Sequence, residues 1–363
     1  MMSAKRPGET DNSTIRVVQW TTGSVGRRSV RAIATNPHLE LVGCYAWSPD
    51  KVGTDAGLLV GIDELGVVAT DDVSELLALK PDCVVYNPMW PNVDELVGLL
   101  AAGVNVVTTA AFINGHNLGT DRERLEDACR RGGATIFGSG INPGAAQLLA
   151  IVSATICDRI DKVSITEFGD STLYDSPETE KPVGFGQPID HPDLQEMTAS
   201  GTAVFREAVL MLADAIGVEL DGVRCTAEYA QTTEDLHLPA DWLIEKGCVA
   251  GVDLRWQGFV GERDVIEIRM RWRKGQTLQP DWQHKPGGYL IEIAGQPSVT
   301  TTLDFLPPAD FEAKSMSDFM VLGMIITAMP AVNAIPAVVA ADPGIATYND
   351  LRLTSPRGFV SGL

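Results

Sequence analysis

The sequence predicts an α/β protein built in two parts: a doubly wound parallel sheet, then an α+β unit around an open, mostly antiparallel sheet. Three observations carry this. Short apolar runs alternate with amphipathic stretches as far as Asn142-Pro143-Gly144. The run VVQWTTGSVGRRSV takes a strand through a glycine turn straight into a helix. Beyond residue 144 the apolar residues change to strict alternation. Strands of four to six residues alternating with helices imply a parallel sheet covered on both faces, whereas period-2 alternation marks a sheet buried on one side.

In order, residues 15–18 form a buried strand, 21–26 a glycine-bearing turn and 29–35 a helix. Strands follow at 39–45, 82–86, 104–108 and 134–137, with helices at 92–102 and 121–131. In the second part, VIEIRMRW at 265–272 sets Ile266, Ile268, Met270 and Trp272 against Glu267, Arg269 and Arg271, and 252–260 and 289–293 alternate similarly. A helix at 202–216 stops at Gly217. Residues 319–341 carry no charge and are long enough to span a bilayer, but Pro330, Asn333 and Pro336 interrupt them. The expectation is a buried helix, a proline break and a second short helix, packed back on the first unit. The expected boundaries are a disordered lead-in at 1–13, a dinucleotide-binding unit at 14–143, a substrate unit at 144–315 and a C-terminal segment at 316–363.

Among 363 residues, 28 Lys and Arg face 48 Asp and Glu, a net charge of −20. That balance argues against nucleic acid, whose phosphates need a basic face, and against an anionic membrane surface. Six cysteines lie scattered with no C-x-x-C pair, and no Cys/His spacing suits a metal. A reducing cytoplasmic setting is expected, with a homodimer formed through the open sheet.

The glycine turn carries the first chemistry. Thr21, Thr22, Gly23, Ser24, Val25 and Gly26 read T-x-G-x-x-G, a variant of the dinucleotide fingerprint in its strand–turn–helix setting. Backbone N–H groups at the helix start would hold a pyrophosphate, which makes the first unit Rossmann-type. Past the second strand the chain reads Ala46-Trp47-Ser48-Pro49-Asp50-Lys51. Ser48 and Lys51 suit a 2′-phosphate while Asp50 suits a free hydroxyl, and NADP(H) is expected over NAD(H). Ligands of such sheets bind beyond the strands' carboxyl ends, so Asn87, Pro88, Thr109, Ala110 and Asn142 should surround the nicotinamide. Tyr174, His116 and Asp170 are the candidates for proton transfer. Against them stand blander roles: an aromatic wall, a solvated loop histidine and a turn cap. Residues 174–197, rich in proline around Gly184-Phe185-Gly186, are expected to be a long loop closing as a lid.

The strings VVQWTTGSVGR, FGSGINPG, KPVGFGQP and AVNAIPAVVAADPGIATYNDL together resemble the dihydrodipicolinate reductase-like superfamily. The resemblance is to the branch of 2,4-diaminopentanoate dehydrogenases and native amine dehydrogenases, from about residue 14 onward. It implies hydride transfer between a nicotinamide cofactor and a C=O or C=N carbon of a small, largely apolar carbonyl, imine or amine compound. Two departures matter. Where true dihydrodipicolinate reductases carry paired histidines, a lysine and a Pro-Ser-Gly-Thr turn, this chain reads FGDSTLYD from Phe168 to Asp175. Where the branch's amine dehydrogenases place a catalytic glutamate, it reads Ala110-Ala111-Phe112-Ile113-Asn114-Gly115-His116. An oxidoreductase acting on a carbonyl or imine is therefore expected. The alternatives are an amine dehydrogenase with Asp170 or Glu167 as the carboxylate, and an inactive NADP-binding sensor.

Overall fold

The computed structural model describes residues 14–282, 285, 287–313 and 316–360, and the expected lead-in at 1–13 lies outside them. The first unit runs β1 (Ile15–Trp20), α1 (Ser24–Thr35), β2 (Leu39–Tyr45), α2 (Ala56–Val60), β3 (Ala69–Thr70), α3 (Val73–Ala78), β4 (Cys83–Tyr86), α4 (Val93–Ala101), β5 (Asn105–Thr108), α5 (Asp121–Gly132) and β6 (Thr135–Gly138). The second runs α6 (Ala145–Ala154), β7 (Arg159–Asp170), α7 (Pro177–Glu180), α8 (Leu194–Gly201), α9 (Val204–Ala215), β8 (Gly222–Thr232), β9 (Leu236–Leu238), β10 (Trp242–Ile244), β11 (Val249–Val260), β12 (Arg263–Arg273), β13 (Leu278–Gln279), β14 (Gly287–Gln296) and β15 (Val299–Leu303). The chain ends with α10 (Met320–Val339) and β16 (Gly344–Ala346).

The first sheet is parallel, in the order β16-β6-β5-β4-β1-β2-β3. Every residue of β4 and β6 is buried, because helices cover both faces; hence the uninterrupted apolar runs. Strand order reverses between β1 and β4, and the crevice beyond their carboxyl ends is the switch-point position for a ligand. Helix α1 starts at Ser24, directly at the glycine turn, rather than at 29. Gly26 permits this: a Cβ there would run into the Thr21 carbonyl.

The second sheet has the order β13-β8-β11-β12-β7-β14-β15, antiparallel except for the β12–β7 pair. Its inner face presents Val163, Ile165, Leu254, Ile266, Ile268, Met270, Ile291 and Ile293 to α6 and α9, where Ala146, Phe205, Val209 and Leu212 complete the core. On the other face the Asp253 carboxylate, 1% exposed, accepts from Arg269 at 2.6 and 2.7 Å and from Arg271 at 2.6 and 2.8 Å.

Three expectations need correction. Residues 174–197 are not a long loop poor in core residues: α7, a 3₁₀ turn at Lys181–Val183 and the start of α8 lie within them, and Val183, Phe185 and Leu194 are buried in the second core. The helix expected at 202–216 is preceded by α8, with a break where the Thr202 hydroxyl donates to the Thr198 carbonyl at 2.6 Å. Finally, Pro330 and Pro336 do not split the last helix; both sit inside the continuous α10. Each proline removes a helical hydrogen bond, a penalty of about 3 kcal/mol. Against it, Ala328, Ala331, Val332, Ile335 and Val338 form one stripe buried on α1 and strands β4 to β6. Burying such a stripe contributes roughly 1.5–3 kcal/mol per large side chain, enough to offset penalties of that size. As expected, α10 packs on the first unit.

Candidate active site

The glycine turn has the form of a cradle. Thr21 occupies the first glycine position of the fingerprint at φ +70°, a left-handed conformation that disfavours a branched residue and explains why glycine usually stands there. Gly23 opens α1 with open space beside its Cα and no side chain capping the helix. In the turn itself Thr21 Oγ1 and Thr22 Oγ1 are buried with no partner, as is Gln19 Oε1 just before it. Such orphaned groups are rare unless a ligand or water satisfies them. Together with the free N–H groups at the helix start, they fit a dinucleotide's phosphates and ribose. Val25 is half-buried and Ser24 exposed in the same turn.

A polar network joins the strand ends. Gln19 Nε2 donates to the Thr21 carbonyl and to Asn87 Oδ1, both at 2.8 Å; Ser29 Oγ donates to Asn87 Oδ1 at 3.1 Å; and Asn87 Nδ2 donates to Thr109 Oγ1 at 2.8 Å. The structure thus brings Asn87 and Thr109 together. Pro88 is half-buried beside them, and Ala110 is buried with its N–H on Thr108 Oγ1 at 3.0 Å. Beyond β2, Ser48 donates to Asp50, and this bond holds the Asp50 carboxyl below its ordinary range. The Lys51 N–H donates to the Ser48 carbonyl at 2.9 Å. On α1, burial chiefly, and then the neighbouring Arg31 and Arg27, lower Arg28.

After β6, the loop through Asn142 meets the second sheet. A chain of fixed polarity starts at the Gly144 N–H, which donates to Gln147 Oε1 at 2.6 Å; Gln147 Nε2 donates to Asn142 Oδ1 at 2.7 Å, and Asn142 Nδ2 donates to Glu167 Oε2 at 2.7 Å. Trp272 Nε1 donates to Glu167 Oε1 at 2.8 Å, and the Tyr289 hydroxyl also bonds this carboxyl. Glu167 shares its face of β7 with Val163 and Ile165 and lies opposite Met270 and Tyr289. It is a half-buried carboxyl on the core-facing side of β7, where the second sheet meets the first sheet's loops. Burial pushes it above the ordinary carboxylate range, although the bonds from Asn142, Trp272 and Tyr289 pull the other way. An acidic residue in phase with an apolar alternation was the sequence signal for it; its partners, far apart in the chain, left none.

The other candidates are engaged by other neighbours. The Tyr174 hydroxyl bonds Thr179 and Ser176, and burial raises it. Asp170 accepts from the Thr172 N–H at 3.0 Å and from Gln276 Nε2 at 3.1 Å, capping the turn after β7. His116 is exposed and opens a 3₁₀ turn; partial burial and Arg122 lower its imidazole. The hydrogen-bond partners of Glu167 are Asn142, Trp272 and Tyr289 rather than any of these three. Sequence reasoning missed Lys274, fully buried, whose ammonium pairs with Glu180 at 2.7 Å and donates to the Ser171 carbonyl at 2.7 Å over the rings of Trp242 and Phe185. It also missed Glu207, buried under the loop after β5. A groove of 580 Å³ opens between Trp90 and the segment bearing Pro182, Met197 and Gly201, with Asp193 and Glu196 beside it. No metal-holding cluster exists among the described residues.

Comparison with known proteins adds the lineage. Residues 146–361 match the model of the 2,4-diaminopentanoate dehydrogenase C-terminal domain. The chain is 30% identical to an amine dehydrogenase of Streptomyces virginiae, covering 93% of this chain and 96% of that protein. It is 23% identical to a 2,4-diaminopentanoate dehydrogenase of Acetoanaerobium sticklandii, over 93% of each chain. The solved amine dehydrogenase of Mycobacterium smegmatis superposes with a TM-score of 0.76 at 22% identity, over 96% of this chain and 99% of that one.

Proposed function

The chain belongs to the 2,4-diaminopentanoate dehydrogenase family and is an oxidoreductase, and from that premise we propose that it interconverts a small carbonyl compound plus ammonium with the corresponding amine. One observation carries the reading: Glu167, a carboxyl on a core-facing position, held by three donors where the two sheets meet. The loop after β5 holds no carboxylate between Ala110 and His116, so β7 supplies it instead.

A bound nicotinamide supplies the hydride in reduction and accepts it in oxidation. Asn142, Trp272 and Tyr289 orient Glu167. In its ionised form Glu167 attracts ammonium and, as the nitrogen adds to the carbonyl, passes the two protons that the nitrogen sheds, one after the other, to the oxygen, which leaves as water. Hydride delivered to the resulting iminium carbon would give the neutral amine, and one further proton its ammonium form. Tyr174 and His116 are the proposed sources of that last proton, with Asp170 holding the turn that carries Tyr174. The groove beside Trp90, Pro182 and Met197 is the proposed substrate entrance. NADP(H) is the proposed cofactor: Arg27, Arg28 and Arg31 concentrate positive charge on α1, Lys51 stands past β2, and Asp50 is engaged by Ser48.

The test measures NADPH and NADH oxidation against a panel of ketones, aldehydes and cyclic imines, with and without ammonium. Turnover that requires ammonium and prefers NADPH is expected. Equal turnover without ammonium would make the protein a carbonyl or imine reductase. Tight NADPH binding with no oxidation across the panel would favour a sensor.

A further inference from the structure

The loop after β5 is held by a carboxylate from the other unit. Glu207 Oε2, on α9, accepts the backbone N–H groups of Ile113 at 2.8 Å, Asn114 at 2.9 Å and Gly115 at 3.0 Å, while Oε1 accepts that of Asn117 at 2.8 Å. Asn114 Nδ2 donates back to the Glu207 carbonyl at 3.1 Å, and Asn117 Nδ2 to the Ala203 carbonyl at 2.6 Å. Successive N–H groups converging on one anion form a nest. Here the anion is internal and only 1% exposed.

The same turn of α9 faces Glu167's support. Phe205 lies against Trp272 with ring centroids 6.2 Å apart, and Trp272 donates to Glu167. At its start, the loop passes through Thr109 and Ala110, which border the dinucleotide crevice. One helical turn therefore touches both the cofactor-side loop and the residue that orients the carboxyl.

We propose that Glu207 is a positioning residue: its carboxylate holds residues 113–117 in shape and fixes the spacing between the nicotinamide-side loop and Glu167. The proposal rests on the amine dehydrogenase reading for its effect on turnover, but not for its effect on the loop. The isosteric Glu207→Gln has one acceptor oxygen and an amide that faces donors, so it cannot accept all four N–H groups. Glu207→Asp keeps the charge.

The experiment compares full-length wild type, E207Q and E207D, each with and without NADPH. Hydrogen exchange of peptides covering 110–118 should be about tenfold faster in E207Q, as expected for losing a buried bond, while α9 and β12 peptides exchange as in wild type. Turnover should fall by at least about tenfold in kcat with little change in the KM for NADPH, and E207D should recover part of it. The kinetic isotope effect on kcat with deuterated NADPH should rise as hydride transfer becomes slower. Unchanged exchange at 110–118 would overturn the proposal, and so would faster exchange spread equally over α9 and β12. If wild type turns over nothing, the catalytic reading has failed, and the exchange data still decide the loop's dependence on Glu207.

Discussion

Replacing Glu167 by glutamine separates chemistry from folding. Three donors point at this carboxyl: Asn142 Nδ2, Trp272 Nε1 and the Tyr289 hydroxyl. The hydroxyl can rotate to accept. Trp272 can only donate, and Asn142 cannot reverse, because its Oδ1 is fixed by Gln147, whose Oε1 is fixed by the Gly144 N–H. A glutamine amide therefore leaves one buried N–H facing another, at about 1–3 kcal/mol. Removing an acid whose burial raises its pKa offsets part of that. We expect a net loss of about 1–2 kcal/mol, or a Tm lower by a few degrees, against a fall in ammonium-dependent turnover of about 10²–10⁴. Glu167→Ala should be equally slow, and added formate should restore part of its rate. The stability comparison also has a pH signature. An acid with a raised folded pKa binds more protons folded than unfolded, so its contribution declines as pH climbs from about 4.3 through the raised value. Calorimetry at several pH values should show the gap between wild type and E167Q narrowing upward across that window. An E167Q enzyme that turns over within a few-fold of wild type would refute the assignment of Glu167.

Other perturbations test the frame around the site. Lys274→Met leaves Glu180 buried without its cation and should cost about 3–5 kcal/mol in urea unfolding, much of it regained in Lys274→Met/Glu180→Leu; a single variant as stable as wild type would show the pair to be dispensable. Gly26→Ala must collide with the Thr21 carbonyl, whereas Gly23→Ala meets open space at an ordinary φ of −71°. G26A should therefore lower Tm. G23A should keep Tm but bind NADPH more weakly by titration, because its methyl enters the space a pyrophosphate takes. At Asp253, burial pushes the carboxyl up, but the bonds from Arg269 and Arg271 outweigh it and hold it below the usual range. Its stabilisation should thus be complete above about pH 3.9 and disappear as pH falls through the lowered value. Asp253→Asn should cost about 3–5 kcal/mol at neutral pH and flatten that acid limb.

What the sequence revealed follows from which signals are local. The first unit was legible because strands buried on both faces are unbroken apolar runs, and because the turn at Gly23 and Gly26 is read within ten residues. The alternation of 265–272 likewise announced a one-sided sheet. The 174–197 segment was misread for the opposite reason: Val183, Phe185 and Leu194 reach the core at irregular spacing, so no period betrays them. In α10 the prolines were legible, but the sheet surface that offsets them was not. Lys274 sits in RWRKG, which looks like an exposed charged strand end, yet it is fully buried by partners near 180 and 242.

The position of the acid itself follows from how the loop after β5 is packed. Between 110 and 115 every residue except Ala111 is buried, with Ala110 and Phe112 in one core of the first unit and Ile113 in another. A glutamate at most of these positions would be a charge placed among aliphatic side chains, which is unfavourable without a partner. The loop's own N–H groups already close on Glu207, so its backbone conformation is set by an anion from α9 rather than by its side chains. On the proposed reading, the carboxyl comes instead from the facing sheet. β7 provides the route: it is twelve residues long, and its core face leads from Val163 and Ile165 to Glu167 at the point where Asn142 arrives from the first unit. The loop without a carboxylate and the strand bearing Glu167 are linked through α9 and Trp272, which is the connection that the proposed role of Glu167 requires.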